Sequence, residues 1–179
     1  MTARNDIKDY IRTVPNFPKP GIQFRDVTTL FANAEGFRTV LEQMVAAIDS
    51  AGVDIIAGID ARGFILGGAL ADRLSLGFVP VRKKGKLPAE TLSQDYVLEY
   101  GTETLELHKD ALHSGQRVLL VDDLIATGGT ALAAASLIRR LGATVAACAF
   151  IVDLPDLGGS ERLQQAGYKV ISLCQFGGD

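Results

Sequence analysis

One stretch constrains this chain more than any other: Arg117-Val118-Leu119-Leu120-Val121-Asp122-Asp123-Leu124-Ile125-Ala126-Thr127-Gly128-Gly129-Thr130. It has three parts in a row. Residues 118–121 are wholly apolar, as in a parallel strand buried on both faces. Asp122 and Asp123 stand where that strand should end. A Thr-Gly-Gly-Thr turn then opens onto the alanine-rich run 131–141, which predicts a helix. A strand feeding a helix through such a turn presents unpaired backbone N–H groups. That is a natural anion site, and phosphate is the expected anion. Adjacent carboxylates repel phosphate, so they need another partner. Ribose hydroxyls, gripped directly or through a metal, fit that need. The segment therefore points to a ribose 5-phosphate. A Walker B strand also ends in acids, but the chain has no Gly-x-x-x-x-Gly-Lys-Ser/Thr loop to accompany it.

The chain has 179 residues, enough for one domain with a substantial core. Hydrophobic residues make up 47% and charged residues 22%, and the formal net charge is −3, so no bulk attraction to nucleic acid or membrane is expected. The polar start Met1-Thr2-Ala3-Arg4-Asn5-Asp6 is followed by no apolar signal segment, and no apolar run reaches about 18 residues. A cytoplasmic location follows as the expectation. Cys148 and Cys174 lie in apolar runs without metal-ligand spacing and read as reduced core residues.

Strand and helix patterns alternate along the chain. A short helix is expected over 6–13, followed by a stiff loop around Pro15, Pro18, Pro20 and Gly21. Residues 31–50 have helical apolar spacing, with Phe37, Leu41, Met44, Val45 and Ile48 on one face. Strands are expected over 53–59, 78–82, 117–121, 145–152 and 169–173, with helices over 63–73, 130–141 and 160–165. Residues 96–100 and 104–107 alternate as in a half-exposed hairpin, while 83–95 has no clear period. The pattern predicts an α/β fold with a mostly parallel, twisted sheet flanked by helices. Ligands in such sheets bind at the carboxyl ends of the strands. Three loops fall there, at 60–63, 83–95 and 122–130.

Each loop has its own chemistry. Arg62, at a helix start after Asp60-Ala61, could clamp a pyrophosphate or simply pair with Asp60. Arg82, Lys83, Lys84 and Lys86 gather four cations around Gly85, and the segment that follows reads as a lid that would keep water from a reactive ribose. Glu99 could exchange a proton with a purine, or be an exposed edge residue. Phe24, in the stiff loop, could stack on a flat base or pack in the core. His108 and His113 read as surface residues.

Pro20-Gly21-Ile22-Gln23-Phe24-Arg25-Asp26, Gly58-Ile59-Asp60-Ala61-Arg62-Gly63-Phe64, Arg82-Lys83-Lys84-Gly85-Lys86-Leu87-Pro88, Leu98-Glu99-Tyr100-Gly101 and Val121 through Thr130 together resemble the type I phosphoribosyltransferases, in particular the branch that uses adenine. The likeness runs through nearly the whole chain. It implies the type I phosphoribosyltransferase fold, with a small N-terminal base-binding hood over 1–32, a core over 33–179 and a flexible lid loop. It also implies purine salvage: adenine and 5-phosphoribosyl 1-pyrophosphate give AMP and pyrophosphate, with magnesium (Mg2+). Carried onto matching positions, Ala126, Thr127, Gly128, Gly129 and Thr130 would hold the 5-phosphate. Asp122 and Asp123 would grip the ribose and favour positive charge on its reacting carbon. Arg62, Arg82, Lys83 and Lys86 would face pyrophosphate. Phe24 and Leu124 would sandwich adenine, the Arg25 backbone would read its edge, and Glu99 would handle its proton. Magnesium would sit mainly on substrate pyrophosphate and water, with no direct protein ligand. A non-proline cis peptide is expected at Ala61–Arg62, and a homodimer is implied. Alternatives are a related enzyme for hypoxanthine or guanine, or a non-catalytic sensor of the same ligand. No lysine stands in the Phe24 loop or just after Asp123, which leans toward adenine. No added nucleic-acid-binding segment supports the sensor.

Overall fold

The computed structural model describes residues 6–48, 52–98 and 101–178. Its centre is a seven-stranded sheet built from β3 (Ile55–Ile59), β4 (Gly77–Lys83), β5 (Thr91–Leu98), β6 (Gly101–His108), β7 (Arg117–Ile125), β8 (Thr144–Asp153) and β9 (Val170–Gln175). The strand order is β5-β6-β4-β3-β7-β8-β9. Pairing is parallel from β4 through β9 and antiparallel for β4–β6 and β5–β6. A separate antiparallel pair, β1 (Arg12–Pro15) and β2 (Gln23–Asp26), stands at the N-terminal side.

The unbroken apolar run of β7 follows from burial on both faces. Leu119 and Val121 join the core beneath α1 (Thr28–Phe31), α2 (Ala34–Ile48) and α3 (Arg62–Leu74), beside Leu30, Met44, Leu66 and Leu70. Val118 and Leu120 join the opposite core beneath α4 (Gly129–Arg140) and α5 (Gly159–Gln165), beside Ala134, Leu137, Ile138 and Leu163. Every one of these side chains is fully buried, a gain of about 1.5–3 kcal/mol for each Leu, Ile or Val. Cys148 and Cys174 are buried thiols, and burial pushes the former up to about 12. Among the described residues, no helix is long and apolar enough to cross a membrane.

Several local expectations change. The helix expected over 6–13 is one 3-10 turn, Ile7–Tyr10, closed by the Asp6 and Asp9 side chains, after which the chain becomes β1. The stiff proline loop contains β2, whose residues pair back on β1 from Arg12↔Asp26 to Pro15↔Gln23. The helix expected over 31–50 is two. Asn33 breaks it, because its side-chain oxygen accepts the Glu35 and Gly36 N–H groups and starts α2 afresh. Its last residues, 49–50, lie outside the described residues. The segment 83–95 is not one long loop, since β5 begins at Thr91 and pairs with β6 throughout. The connecting loop is 84–90.

Asp26 ties β2 to α1. Its carboxylate accepts from the Arg12 guanidinium, from the Thr28 N–H at 3.0 Å and from the Thr28 hydroxyl at 2.6 Å. These bonds, Thr28's hydroxyl first and Arg12 next, hold its pKa down at about 2 against an ordinary 3.8. A carboxyl with a lowered native pKa adds stability above its unfolded pKa and loses it as pH falls through the native one. Asp26→Asn should therefore cost about 1–3 kcal/mol at pH 7, with the cost shrinking as pH falls from about 4 toward about 2. Urea unfolding of both proteins across that range checks it. A difference that does not vary with pH would show that the charge of Asp26 is not what stabilises the junction.

Candidate active site

The parallel strands β3 and β7 run side by side, with Gly58 opposite Val121, so their carboxyl ends open on the same edge. After β3 the chain turns at Asp60 and starts α3 at Arg62. The peptide bond Asp60–Ala61 is cis, one bond earlier than expected. Gly63 makes this turn possible. A Cβ there would lie 2.6 Å from the Val121 carbonyl oxygen and 3.2 Å from Asp122 Oδ1. Helix α3 thus starts in contact with the end of β7, and Arg62 is delivered to the acids.

Arg62 Nε lies 2.7 Å from Asp123 Oδ2. The contact is an ion pair without hydrogen-bond geometry, so this buried oxygen accepts no hydrogen bond among the described residues. Asp123 is only 3% exposed. A buried carboxylate oxygen lacking a donor, at the wall of a cleft, suits a ligand hydroxyl. Asp122 is half-buried and its Oδ1 accepts the Asp123 N–H at 2.9 Å. Burial, then the neighbouring Asp123 charge, raises the Asp122 carboxyl well above its ordinary range.

A cleft of about 220 Å³ opens here, walled by Arg62, both aspartates and the turn through Thr130. Among the expected residues it brings together Arg62, Asp122, Asp123, Leu124, Ala126, Thr127, Gly128 and Thr130. It adds Ile125, Ala131 and Phe150 to the lining. Phe150 comes from β8 and was hidden in the sequence, because only the register Asp122↔Phe150 brings it there. Gly129 begins α4 next to β5, where a Cβ would meet the Val97 carbonyl at 3.5 Å. Gly128 has φ +80°, which favours glycine, and initiates α4 without a side-chain cap. Among the described residues no side chain caps the first turn of α4, so its N–H groups are available to a ligand.

Phe24 reaches this group through Arg62, whose guanidinium carbon stands 5.8 Å from its ring centroid. Phe17 packs edge-on to it at 5.2 Å. The Arg25 side chain turns elsewhere, stacking on Phe176 at 4.6 Å and donating to the Thr13 hydroxyl at 2.8 Å. Arg82 is engaged by Asp60 at 3.1 Å and by the Lys86 carbonyl at 3.2 Å. It is Arg82, not Arg62, that pairs with Asp60. Lys83 pairs with Glu103, whose other donor is the Tyr96 hydroxyl at 2.9 Å. The loop 84–90 is pinned at its base, since Gly85 N–H donates to the buried Glu106 carboxylate and Ala89 N–H to His108 Nε2. His108 thus has a partner that the sequence did not reveal. Glu99 lies outside the described residues. Among the described residues, no group of three or more His, Cys, Asp or Glu side chains could hold a metal.

Residues 26–176 match the phosphoribosyl transferase domain, and the chain belongs to that family. It is 59% identical over 179 residues to the adenine phosphoribosyltransferase of Dinoroseobacter shibae, covering 100% of both chains. The crystal structure of the Thermoanaerobacter pseudethanolicus adenine phosphoribosyltransferase superposes with a TM-score of 0.91 at 51% identity, covering 95% of this chain and 98% of that one. The Saccharomyces cerevisiae adenine phosphoribosyltransferase, complexed with an imino-altritol bisphosphate and adenine, does so with a TM-score of 0.87 at 38% identity, covering 94% and 96%. Within the family, the chain falls among the adenine phosphoribosyltransferases.

Proposed function

We propose that this chain transfers the 5-phosphoribosyl group of phosphoribosyl pyrophosphate to adenine, releasing pyrophosphate and forming AMP. The observation that carries the reading is the single cleft in which Asp122 and Asp123 adjoin the turn 126–130, with Arg62 across from them. The N–H groups of the turn cradle the 5-phosphate, favoured by the positive end of α4. Asp123 Oδ2, which is ion-paired to Arg62 but receives no hydrogen bond among the described residues, accepts a ribose hydroxyl. As the bond to pyrophosphate breaks, positive charge grows on the ribosyl carbon and the paired acids stabilise it. That growing charge also favours the ionised form of Asp122, which burial and the Asp123 charge disfavour.

Arg62, Arg82, Lys83 and Lys86 gather positive charge toward the departing pyrophosphate. Magnesium fits this donor set. Two carboxylates, one of them ion-paired, are too few to hold it alone but can accept from its coordinated waters. When bound on pyrophosphate, it neutralises charge on the leaving group. Phe24 and Leu124 stack on the two faces of adenine, the Arg25 backbone reads its edge and Glu99 manages its proton. Residues 1–32 act as the base-binding hood over the core 33–179. The protein works as a cytoplasmic homodimer.

The test is pyrophosphate release with phosphoribosyl pyrophosphate and magnesium, offering adenine, hypoxanthine, guanine and orotate in parallel. Turnover with adenine alone is expected. Turnover with an oxo base would overturn the Phe24 assignment, and silence with every base beside measurable binding would make the protein a sensor. Phe24→Ala should weaken adenine by about 1–3 kcal/mol, which is roughly five- to 150-fold in KM, while the KM for phosphoribosyl pyrophosphate changes little. Equal losses for both substrates would assign Phe24 to folding.

A further inference from the structure

The turn 126–130 does not hold its shape alone. Behind it runs the segment from Gly158 into α5, which makes two bonds to the turn's carbonyls. Gly159 N–H donates to the Ala126 oxygen at 2.9 Å. Arg162 Nη1 donates to the Thr127 oxygen at 2.7 Å. The approach is close enough that a Cβ on Gly159 would lie 2.7 Å from Gly128 N, and one on Gly128 would lie 2.9 Å from the Gly159 oxygen.

These bonds fix which way the turn's donors point. In a trans peptide unit the C=O and the following N–H point in opposite directions. The Ala126–Thr127 and Thr127–Gly128 bonds are trans. Anchoring the Ala126 oxygen on α5 therefore turns the Thr127 N–H away from α5. Anchoring the Thr127 oxygen on Arg162 does the same for the Gly128 N–H. The cleft takes lining from Ala126, Thr127 and Gly128 and none from α5. Among the described residues neither N–H donates to a protein group.

We propose that Arg162 is a positioning residue. It touches no substrate, and through the Thr127 carbonyl it holds the Gly128 peptide in the orientation that receives the 5-phosphate. The proposal rests on the reading of 126–130 as the phosphate cradle. Its guanidinium fork suits the task, since a planar donor is pre-organised for a fixed carbonyl.

AMP and adenosine differ only by the phosphate, so the ratio of their affinities isolates the cradle. In titration calorimetry, Arg162→Ala should reduce the AMP-over-adenosine advantage about tenfold, the factor of one well-made hydrogen bond to a charged group. Adenosine affinity and the urea unfolding midpoint should stay close to wild type. Arg162→Lys, still charged and still a donor, should recover most of the ratio. Arg162→Gln, neutral but a donor, should recover part of it. An unchanged ratio in Arg162→Ala, or equal losses for AMP and adenosine, would overturn the proposal. So would a glutamine variant as poor as alanine beside a fully restored lysine variant, which would assign the effect to charge alone. Gly128→Ala separates the two levels. It distorts the turn directly, so an unchanged ratio there would remove the cradle itself. A lowered ratio there, with a normal one in Arg162→Ala, would remove only the role of Arg162.

Discussion

Asp123→Asn is expected to lower kcat by about 10²–10³-fold while moving the unfolding free energy far less. The substitution keeps the shape and removes the charge that the proposed mechanism sets against the ribosyl carbon. Stability changes little because two effects oppose each other. The ion pair with Arg62 at 2.7 Å is lost. The repulsion that helps to push the Asp122 carboxyl up is lost too. A carboxyl with a raised native pKa is a source of instability at neutral pH, so relief of that shift offsets part of the lost pairing. Pyrophosphate release and urea unfolding on the same preparation test both halves. Wild-type turnover would remove Asp123 from the chemistry, and a fall in stability that accounts for the lost activity would make it a folding residue.

The second large effect is expected from one methyl group. Gly63→Ala places a Cβ 2.6 Å from the Val121 oxygen and 3.3 Å from Asp122 Cα. Both belong to the central strand β7 and cannot yield, so α3 must move. Overpacking of this kind costs about 1–3 kcal/mol. The activity loss should be larger, about 10²-fold in kcat/KM, because Arg62 and the two acids lose their mutual placement. Gly68→Ala, five residues on in the same helix, is the control. A Cβ there meets nothing within 4 Å, and alanine is the better helix former, so the variant should keep full activity and gain about 0.5–1 kcal/mol. If Gly63→Ala behaved like Gly68→Ala, the contact between α3 and β7 would not be what aligns the site.

These predictions use a part of the molecule that was readable from residue order. The β7 run, the acid pair and the glycine turn are contiguous, and two of them carry their local physics: two-sided burial and a positive φ. The strand does not end at the acids as expected, because pairing with β8 carries it through them to Ile125. The carboxyl-edge rule pointed to the loops after β3, β4 and β7; the first and last line the cleft, and the β4 end joins them only through the Arg82–Asp60 pair. What escaped depends on distant partners. Strands β1 and β2 are four residues each, and their pairing is decided by contacts with each other and with α1. The start of α2 was marked by Asn33-Ala34-Glu35, an N-cap pattern overridden by the longer apolar period around it. The alternation in Thr91-Leu92-Ser93-Gln94-Asp95 was weak, and β5 is registered by β6. Phe150 and Arg162 carry no motif of their own and reach the site only through sheet register and the placement of α5.

Phe176 takes on another meaning when the chain is followed in time. Its ring carries the Arg25 guanidinium at 4.6 Å and the Lys8 ammonium at 5.4 Å, and its N–H is held by the Asp153 carbonyl at the end of β8. The hairpin that contains Phe24 therefore leans on residues made some 150 positions later. Synthesis runs from the amino end, so this hairpin precedes its support by some 150 residues. Its packing is thus tied to Phe176, and a product stopped short of that residue would carry the acids and the glycine turn without this support for the hairpin.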